Sequence, residues 1–206
     1  MSLSKYREIR KFGKTDEPKG MNKHPSNEGE LRFVVQKHEA SHLHYDFRLE
    51  CEGVLKSWAV PKGPSMNAQD KHLALMVEDH PLEYRKFEGV IPTGNYGAGT
   101  VMVWDEGTYF SLGSTNNKAS QKLLLQGLKN GHISFILKGK KLKGEFTLVK
   151  LKGKTKNAWL LIKKKDAFAV HEDILLKTYS AMSGREMEEI KQEAEQLGQL
   201  WHSNKK

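Results

Sequence analysis

LHYDFRLE, residues 43–50, alternates two kinds of side chain along its length: Tyr45, Phe47 and Leu49 at one parity, His44, Asp46 and Arg48 at the other. Successive side chains of a β-strand point to opposite faces, so this stretch predicts a strand with one face for the core and one that gathers an imidazole, a carboxylate and a guanidinium. A neutral imidazole and a carboxylate two residues apart can grip one divalent cation. A guanidinium one step further is placed to hold a phosphate oxygen beside that cation.

The preceding LRFVVQKH, residues 31–38, also reads as a strand, and the link EAS is short enough for a hairpin. His38 then returns close to His44. Two histidines and one aspartate leave coordination positions for water and substrate, as a catalytic metal requires. The competing reading makes His38 and His44 ordinary surface histidines and pairs Asp46 with Arg48. Spacing leaves both readings open, and it leaves His42, on the same face as His44, as a rival ligand to His38.

Outward from this hairpin the chain stays rich in short strands. VLKSWAV (54–60) is closed by Pro61, and HLALMVE (72–78) follows. TVMVWD and TYFSL are expected to form a hairpin through Glu106 and Gly107, and HISFIL, EFTLVKL and AWLLIK supply three more strands. Strands at this density with glycine-rich turns indicate a mainly β protein, a small antiparallel barrel with flanking short helices. SQKLLLQGLKNG (120–131) reads as a short helix ending at Gly131. Ser183 and Glu186 form an S-x-x-E capping box, and Met187, Ile190, Ala194, Leu197 and Trp201 recur at the spacing of a C-terminal amphipathic helix. The expected organisation is an irregular arm over 1–30, a barrel over 31–167 and an extension over 168–206. In DHPLEY, Pro81 suits the first position of a helical turn, which would bring His80 and Tyr84 to one side. GNYGAGT (94–100) lacks the following helix and the Lys-Ser/Thr pair of a phosphate loop, so it reads as a glycine-dependent turn.

The chain of 206 residues carries a net charge of +9, yet residues 138–165 hold eleven lysines and one glutamate, a local +10. The remainder nets to −1, so the basic character belongs to one segment. Lys138, Lys140, Lys141 and Lys143 are candidates for sequence-independent phosphate contacts, the alternative being a solvated strand edge. No apolar run reaches the length of a membrane span and no signal-peptide stretch opens the chain, so a soluble, cytoplasmic protein with no membrane partner is expected. The lone Cys51 has no disulfide or CxxC partner.

QKHEASHLHYDFRLE followed by GVLKSWAVPKGPS closely resembles the 3′-phosphoesterase domain found at the front of bacterial ligase D and as free-standing proteins in bacteria and archaea. VEDHPLEY, FEGVIPTGNYGAGTVMVWDEGTY, LKGKKLKGEFTLVKL and NAWLLIKKKD continue the likeness in the same order, over roughly residues 5–167. The resemblance implies a metal on His38, His44 and Asp46, with Mn²⁺ preferred and Co²⁺ or Zn²⁺ as other divalent options. It implies that Arg48 and His80 bind the scissile phosphate and that Tyr84 assists by hydrogen bonding or proton transfer. YREIRKFGKTDEPKG matches the family's arm and places Arg10 and Glu17 near the metal or phosphate. Gln36 and Lys62 fall on positions near the phosphate or the substrate end. At His72 the sequence departs from the family's arginine, which puts one phosphate contact in doubt.

The implied activity is end healing: removal of a 3′-terminal ribonucleoside and then of the 3′-phosphate from a DNA or RNA strand, leaving a 3′-hydroxyl. An end-joining ligase or polymerase is the implied partner. The chain lacks the KxDG motif of ATP-dependent ligases, so it does not itself seal nicks by that route. SGREMEEI is similar to the linker that follows the domain in ligase D. Two other classes fit parts of the sequence. One is a non-haem Fe(II) oxygenase with His44, Asp46 and His132 as ligands, which Arg48 beside the triad disfavours; the other is a non-catalytic DNA-binding module.

Overall fold

A computed structural model describes residues 3–20, 29–153 and 155–197. After a short helix α1 (Ser4–Glu8), ten strands form one sheet: β1 (Arg32–Glu39), β2 (Leu43–Cys51), β3 (Val54–Val60), β4 (His72–Met76), β5 (His80–Pro81), β6 (Gly89–Ile91), β7 (Gly99–Ser111), β8 (His132–Gly139), β9 (Lys143–Lys150) and β10 (Ala158–Lys163). The order β1-β2-β3-β4-β10-β9-β8-β7 closes on itself because β7 also pairs with β1, which makes an eight-stranded antiparallel barrel. β5 and β6 are short additions on β3 and β7. Closure removes the sheet edges that would otherwise invite pairing with another chain.

The period-2 pattern sets the barrel's two faces. Phe33, Phe47, Trp58, Phe135, Phe146 and Trp159 are almost wholly buried in one apolar cluster, with Phe47 stacked on Phe135 at 5.6 Å. Burying a side chain of this size contributes roughly 1.5–3 kcal/mol, so the interior rather than the polar face holds the barrel together. Gln36, His38, Asp46 and Arg48, of opposite parity, turn to the other side of the β1–β2 wall. There a second apolar cluster of Leu3, Tyr6, Leu55, Tyr84 and Ile91 packs around them. The chemistry-bearing face is therefore covered, and Asp46 and Arg48 are themselves buried.

In place of the expected hairpin at Glu106–Gly107 there is a single continuous strand. β7 runs for 13 residues, pairing with β1 through residues 100–108 and with β8 through residues 107–111. Gly107 marks the changeover. A Cβ there would stand 2.2 Å from the Lys138 carbonyl oxygen, so the glycine permits close approach of two backbones rather than a turn.

Helix α2 (Asn117–Asn130) begins three residues before the expected start because Asn116 caps it, accepting from the Ala119 amide; Gly131 ends it at φ 77°. Helix α3 (Met187–Gln196) begins later than the S-x-x-E pattern suggests. Its N-cap is Glu186, in a reciprocal capping box with Glu189. Ser183 instead donates to Glu88, which also accepts from Ser180, Arg185 and the Val103 amide. A carboxylate with that many donors pulls the serine away from the cap. Ile190 and Ala194 are buried as the helical spacing expects, Leu197 is the exposed C-cap, and Trp201 lies outside the described residues.

Between β10 and α3 the chain straps across the barrel. The Trp104 indole donates to the Lys177 carbonyl at 2.7 Å, and the Ala181 amide donates to the Val103 carbonyl. Lys141 is only 5% exposed, with its ammonium donating to the Lys177 and Tyr179 carbonyls over the Trp104 and Tyr179 rings. Burial draws its pKa down to about 8. Lys141 thus belongs to the strap and not to a phosphate-binding patch. Lys140 pairs with Glu106 at 2.9 Å and Lys138 with Glu30 at 3.7 Å, both at exposed positions, and Lys143 is exposed, so of the four candidates Lys141 alone is withdrawn from solvent. No helix among the described residues is long and apolar enough to cross a membrane.

Gly107→Ala should cost about 1–3 kcal/mol, the usual penalty for forcing an extra carbon against fixed atoms. In a chain of this size each kcal/mol moves Tm by roughly 2–4 °C. A thermal melt within about 1 °C of wild type would show that the β7–β8 contact yields freely and that Gly107 is not required there.

Candidate metal centre and phosphate pocket

The hairpin register builds the site. His38 on β1 stands opposite His44 on β2, and Asp46, one step along the same face, stands opposite Gln36 and Ala59. The two imidazole rings lie 4.7 Å apart. Their Nδ1 (His38) and Nε2 (His44) atoms sit 3.7 and 3.8 Å from the two Asp46 oxygens. All three ligand atoms fall within 4.8 Å of one another, the one such cluster among the described residues.

Which nitrogens carry hydrogen follows from the far side of each ring. His38 Nε2 is 2.9 Å from the Gly97 carbonyl and His44 Nδ1 is 2.9 Å from the His42 carbonyl. A carbonyl only accepts, so those nitrogens are the donors. A neutral ring then turns a lone pair towards the Asp46 carboxylate, which also only accepts. Doubly protonated rings would close to a hydrogen-bond distance instead of standing off at 3.7–3.8 Å. A cation between them satisfies all three, and ligands at about 2.0–2.2 Å from one ion are spaced much as these are. His42 is exposed and enters through its carbonyl, which orients His44; it is not a ligand.

Burial alone would raise the Asp46 pKa, but the Arg48 guanidinium bonded to it outweighs burial and holds the carboxyl below its ordinary range. Arg48 is fixed on three sides. Its Nη2 donates to Asp46 at 3.0 Å, its Nη1 to the Ser57 hydroxyl at 2.9 Å and its Nε to Gln36 Oε1 at 2.8 Å. Three of five guanidinium hydrogens are used, and two remain for an anion. Gln36 is wholly buried, and its amide donates to the Tyr84 and Phe87 carbonyls, so it positions Arg48 from beneath.

The N-terminal arm brings a second guanidinium. Arg10 donates to Glu17 at 2.9 Å, to Glu78 at 3.2 Å and through Nη2 to His80 Nε2 at 2.9 Å. Burial opposes its charge, but the Glu17 hydrogen bond and charge prevail and raise its pKa. His80 Nδ1 donates to the Glu78 carbonyl, so its Nε2 is the acceptor for Arg10. Burial, then Arg48 and Arg10, push the His80 pKa well below its ordinary value, so the ring is neutral. His80 and Tyr84 do come together, with rings 4.9 Å apart, though through β5 and a 3-10 turn over Leu82–Lys86 rather than an α-turn. The Tyr84 hydroxyl donates to Glu17 at 3.1 Å, and burial raises its pKa well above 10.

His38, His44, Asp46, Arg48, Arg10 and His80 surround one pocket of about 240 Å³. Lys62 and His72 do not line it. Lys62 is exposed after β3, and His72 on β4 is bonded to the Gly63 carbonyl at 2.6 Å. His132, the third ligand of the oxygenase alternative, is exposed on β8 beside Ser134 and takes no part in the cluster. Glu78, Tyr96 and Gly97 line the pocket and Ser57 anchors Arg48 behind it, and sequence patterning passed over all four. Glu78 is two residues before His80 in VEDHP, and Gly97 lies in the glycine-rich turn with φ 74°. With neutral histidines, Asp46, Glu17 and Glu78 against Arg10 and Arg48 leave a net −1, hostile to a phosphate. A divalent cation reverses the sign.

The family model for the DNA ligase D 3′-phosphoesterase domain matches residues 36–150. A multifunctional non-homologous end joining protein LigD of Pseudomonas aeruginosa is 49% identical over 169 residues, which are 81% of this chain and 19% of that protein. The multifunctional non-homologous end joining DNA repair protein LigD of Mycobacterium tuberculosis is 40% identical over 185 residues, 88% of this chain and 23% of that protein. The chain thus spans about a fifth of the length of these relatives. By the extent of the match and the residues it includes, the chain belongs to the DNA ligase D 3′-phosphoesterase domain family.

Proposed function

We propose that this chain is a divalent-metal-dependent phosphoesterase that heals the 3′ ends of DNA or RNA strands in end-joining repair. The observation that carries the reading is the pair of imidazole lone pairs turned on one carboxylate beside a half-occupied guanidinium. Mn²⁺ is the ion we assign, with Co²⁺ or Zn²⁺ able to use the same donors. The bound ion would supply Lewis acidity towards a phosphoryl oxygen and a more acidic water.

The chain's own residues then divide the work. In the first reaction, water adds to phosphorus and the bond to the terminal nucleoside's 5′ oxygen breaks, so a free nucleoside leaves and the strand keeps a 3′-phosphate. In the second, water adds to that phosphate and the bond to the strand's 3′ oxygen breaks, giving inorganic phosphate and a 3′-hydroxyl. Arg48, with two hydrogens to spare, holds the non-bridging oxygens and stabilises the charge that grows on them. His80, kept neutral, fixes Arg10 so that a second guanidinium faces the same anion. Reaching phosphate directly would require His80 to give up its bond to Arg10. Tyr84 stays protonated at neutral pH and serves as a hydrogen-bond donor rather than a base. The chain would leave a terminus that a partner ligase or polymerase can use.

The direct experiment is product analysis on an end-labelled strand with one terminal ribonucleotide, in Mn²⁺. The expected products are the strand with 3′-phosphate and then with 3′-hydroxyl. Binding without turnover in any divalent metal would support a DNA-binding module instead, and oxygen uptake with iron and 2-oxoglutarate would support the oxygenase.

Arg48→Ala should keep its metal and lose roughly 10² to 10³ in rate, the cost of one preorganised donor, and Arg48→Lys should rescue little because a point charge cannot replace a planar fork. Asp46→Ala should lose bound metal first and activity with it. Metal content and healing rate measured on both variants decide the matter: wild-type healing by Arg48→Ala, or loss of its metal, would remove the phosphate-holding role.

Gln36→Leu separates positioning from binding. The Phe87 carbonyl would lose its Gln36 donor, at roughly 1–3 kcal/mol, the Tyr84 carbonyl would keep only the Phe87 amide, and Arg48 would lose one of three anchors. The rate should fall by up to about 10²-fold with metal retained, as small misplacements do. If stability falls and the rate per folded molecule does not, Gln36 is merely a core residue.

A further inference from the structure

Beside the metal pocket lies a second, larger cleft of about 660 Å³, and the two share the wall made by Val77 and Glu78. Its rim carries Lys5 from α1, Lys150 from the end of β9 and Lys156 from the loop before β10. These lysines come from three separate segments, are exposed, and form no ion pair with any described residue. The acidic residues of the cleft are already matched. Asp79 is bound to Lys56 at 2.6 Å, and Glu78 to Arg10 at 3.2 Å. The cleft thus presents three uncompensated positive charges next to the anion-accepting pocket. Its floor is firm, because the Met76 amide and carbonyl bond to Asn157 across β4 and the start of β10.

Other exposed lysines stand elsewhere: Lys118, Lys122 and Lys129 line a cleft on α2 that shares no lining residue with the metal pocket, Lys138 and Lys140 sit in ion pairs on β8 and just after it, and Lys141 is buried under the strap. Of these two clefts, that of Lys5, Lys150 and Lys156 is the one that shares a wall with the metal pocket.

We propose that this cleft is the track along which a nucleic-acid strand enters the metal pocket. Lys5, Lys150 and Lys156 are each set against a backbone phosphate on the 5′ side of the reacting end. The contacts are to phosphate alone, so the track accepts any sequence. The proposal rests on the end-healing reading of the pocket, and it adds where the rest of the strand lies.

The test uses the full chain in Mn²⁺ and a short all-deoxy strand ending in 3′-hydroxyl, the product of the proposed reaction, so that binding is measured without turnover. Three neutralised phosphates on a single strand account for roughly 2 in the slope of log K against log salt. Lys5, Lys150 and Lys156 replaced together by Gln should flatten the slope by about that amount. A control with Lys138, Lys143 and Lys164 replaced by Gln removes the same charge at other exposed positions and should leave the slope within about 0.5 of wild type. Neutral methylphosphonate linkages beside the 3′ end should weaken wild-type binding and leave the triple variant nearly indifferent, whereas the same linkages at the 5′ end should not discriminate. Equal flattening by the control, or equal effects of neutral linkages at both ends, overturns the track. Failure of the end-healing reading shows separately, as a wild-type protein that leaves a ribonucleotide-ended strand intact.

Discussion

The Asp46 carboxylate is the point on which the site is hung. One oxygen accepts from Arg48 at 3.0 Å, and both face imidazole nitrogens whose hydrogens have been drawn to the opposite side of each ring by backbone carbonyls. A buried carboxylate so placed is only partly satisfied, with one guanidinium hydrogen for two oxygens that otherwise face lone pairs. That geometry is what the proposed ion would complete, since a buried charge short of partners costs several kcal/mol. The guanidinium holds the carboxylate ionised and is itself held by Gln36 and Ser57, so in the proposed reaction cation and phosphate would be located by one connected set of hydrogen bonds. Breaking any link loosens both.

The barrel makes that set possible by dividing its labour between faces. Aromatic packing inside the barrel fixes the β1–β2–β3 wall, and strand register then carries His38 against His44 and Arg48 against Ser57 without any further device. Polar residues on the other side of a wall would ordinarily be solvated and mobile. Here the arm, the 80–87 segment and the glycine-rich turn cover them, supplying Arg10, Tyr84 and the Gly97 carbonyl as they do so. Cover and chemistry come from the same segments. The turn is therefore functional without being a nucleotide loop: its contribution is one carbonyl that selects a histidine tautomer.

Short-range pattern was legible in the sequence wherever one strand or one hairpin contains the information. Alternation over 43–50 identified the two faces, and the three-residue link after Glu39 brought His38 to His44. Helix α2 was read to its C-terminal glycine for the same reason. Gly107 misled because its cause lies 31 positions away, in the Lys138 carbonyl, and a glycine in a strand looks locally like a glycine in a turn. Ser183 misled because Glu88, 95 positions earlier in the chain, offers it a better partner than the helix does. Arg10 meets Glu78 and His80 across 68 and 70 positions, so neither periodicity nor spacing could join them; only likeness to a family of known pattern did.

The lysines show why charge must be counted after folding rather than before. Along the chain they form one dense cluster, which suggests a single patch. Folding disperses it: each strand of the β8–β9 hairpin sends alternate side chains to opposite faces, and the segment from β9 to β10 turns back towards α1. Lysines near Glu30, Glu106 and Asp166 meet carboxylates, and Lys141 closes the strap through two carbonyls and two rings. Lys141 and Lys163, both buried, have exchanged their hydration for fixed partners, and a polyanion would have to displace them before gaining their attraction. Positive charge that can still attract a strand is the part left over by the fold. Beside the metal pocket that remainder includes Lys150 and Lys156 from the cluster and Lys5 from outside it, a grouping that belongs to the surface and to no stretch of sequence.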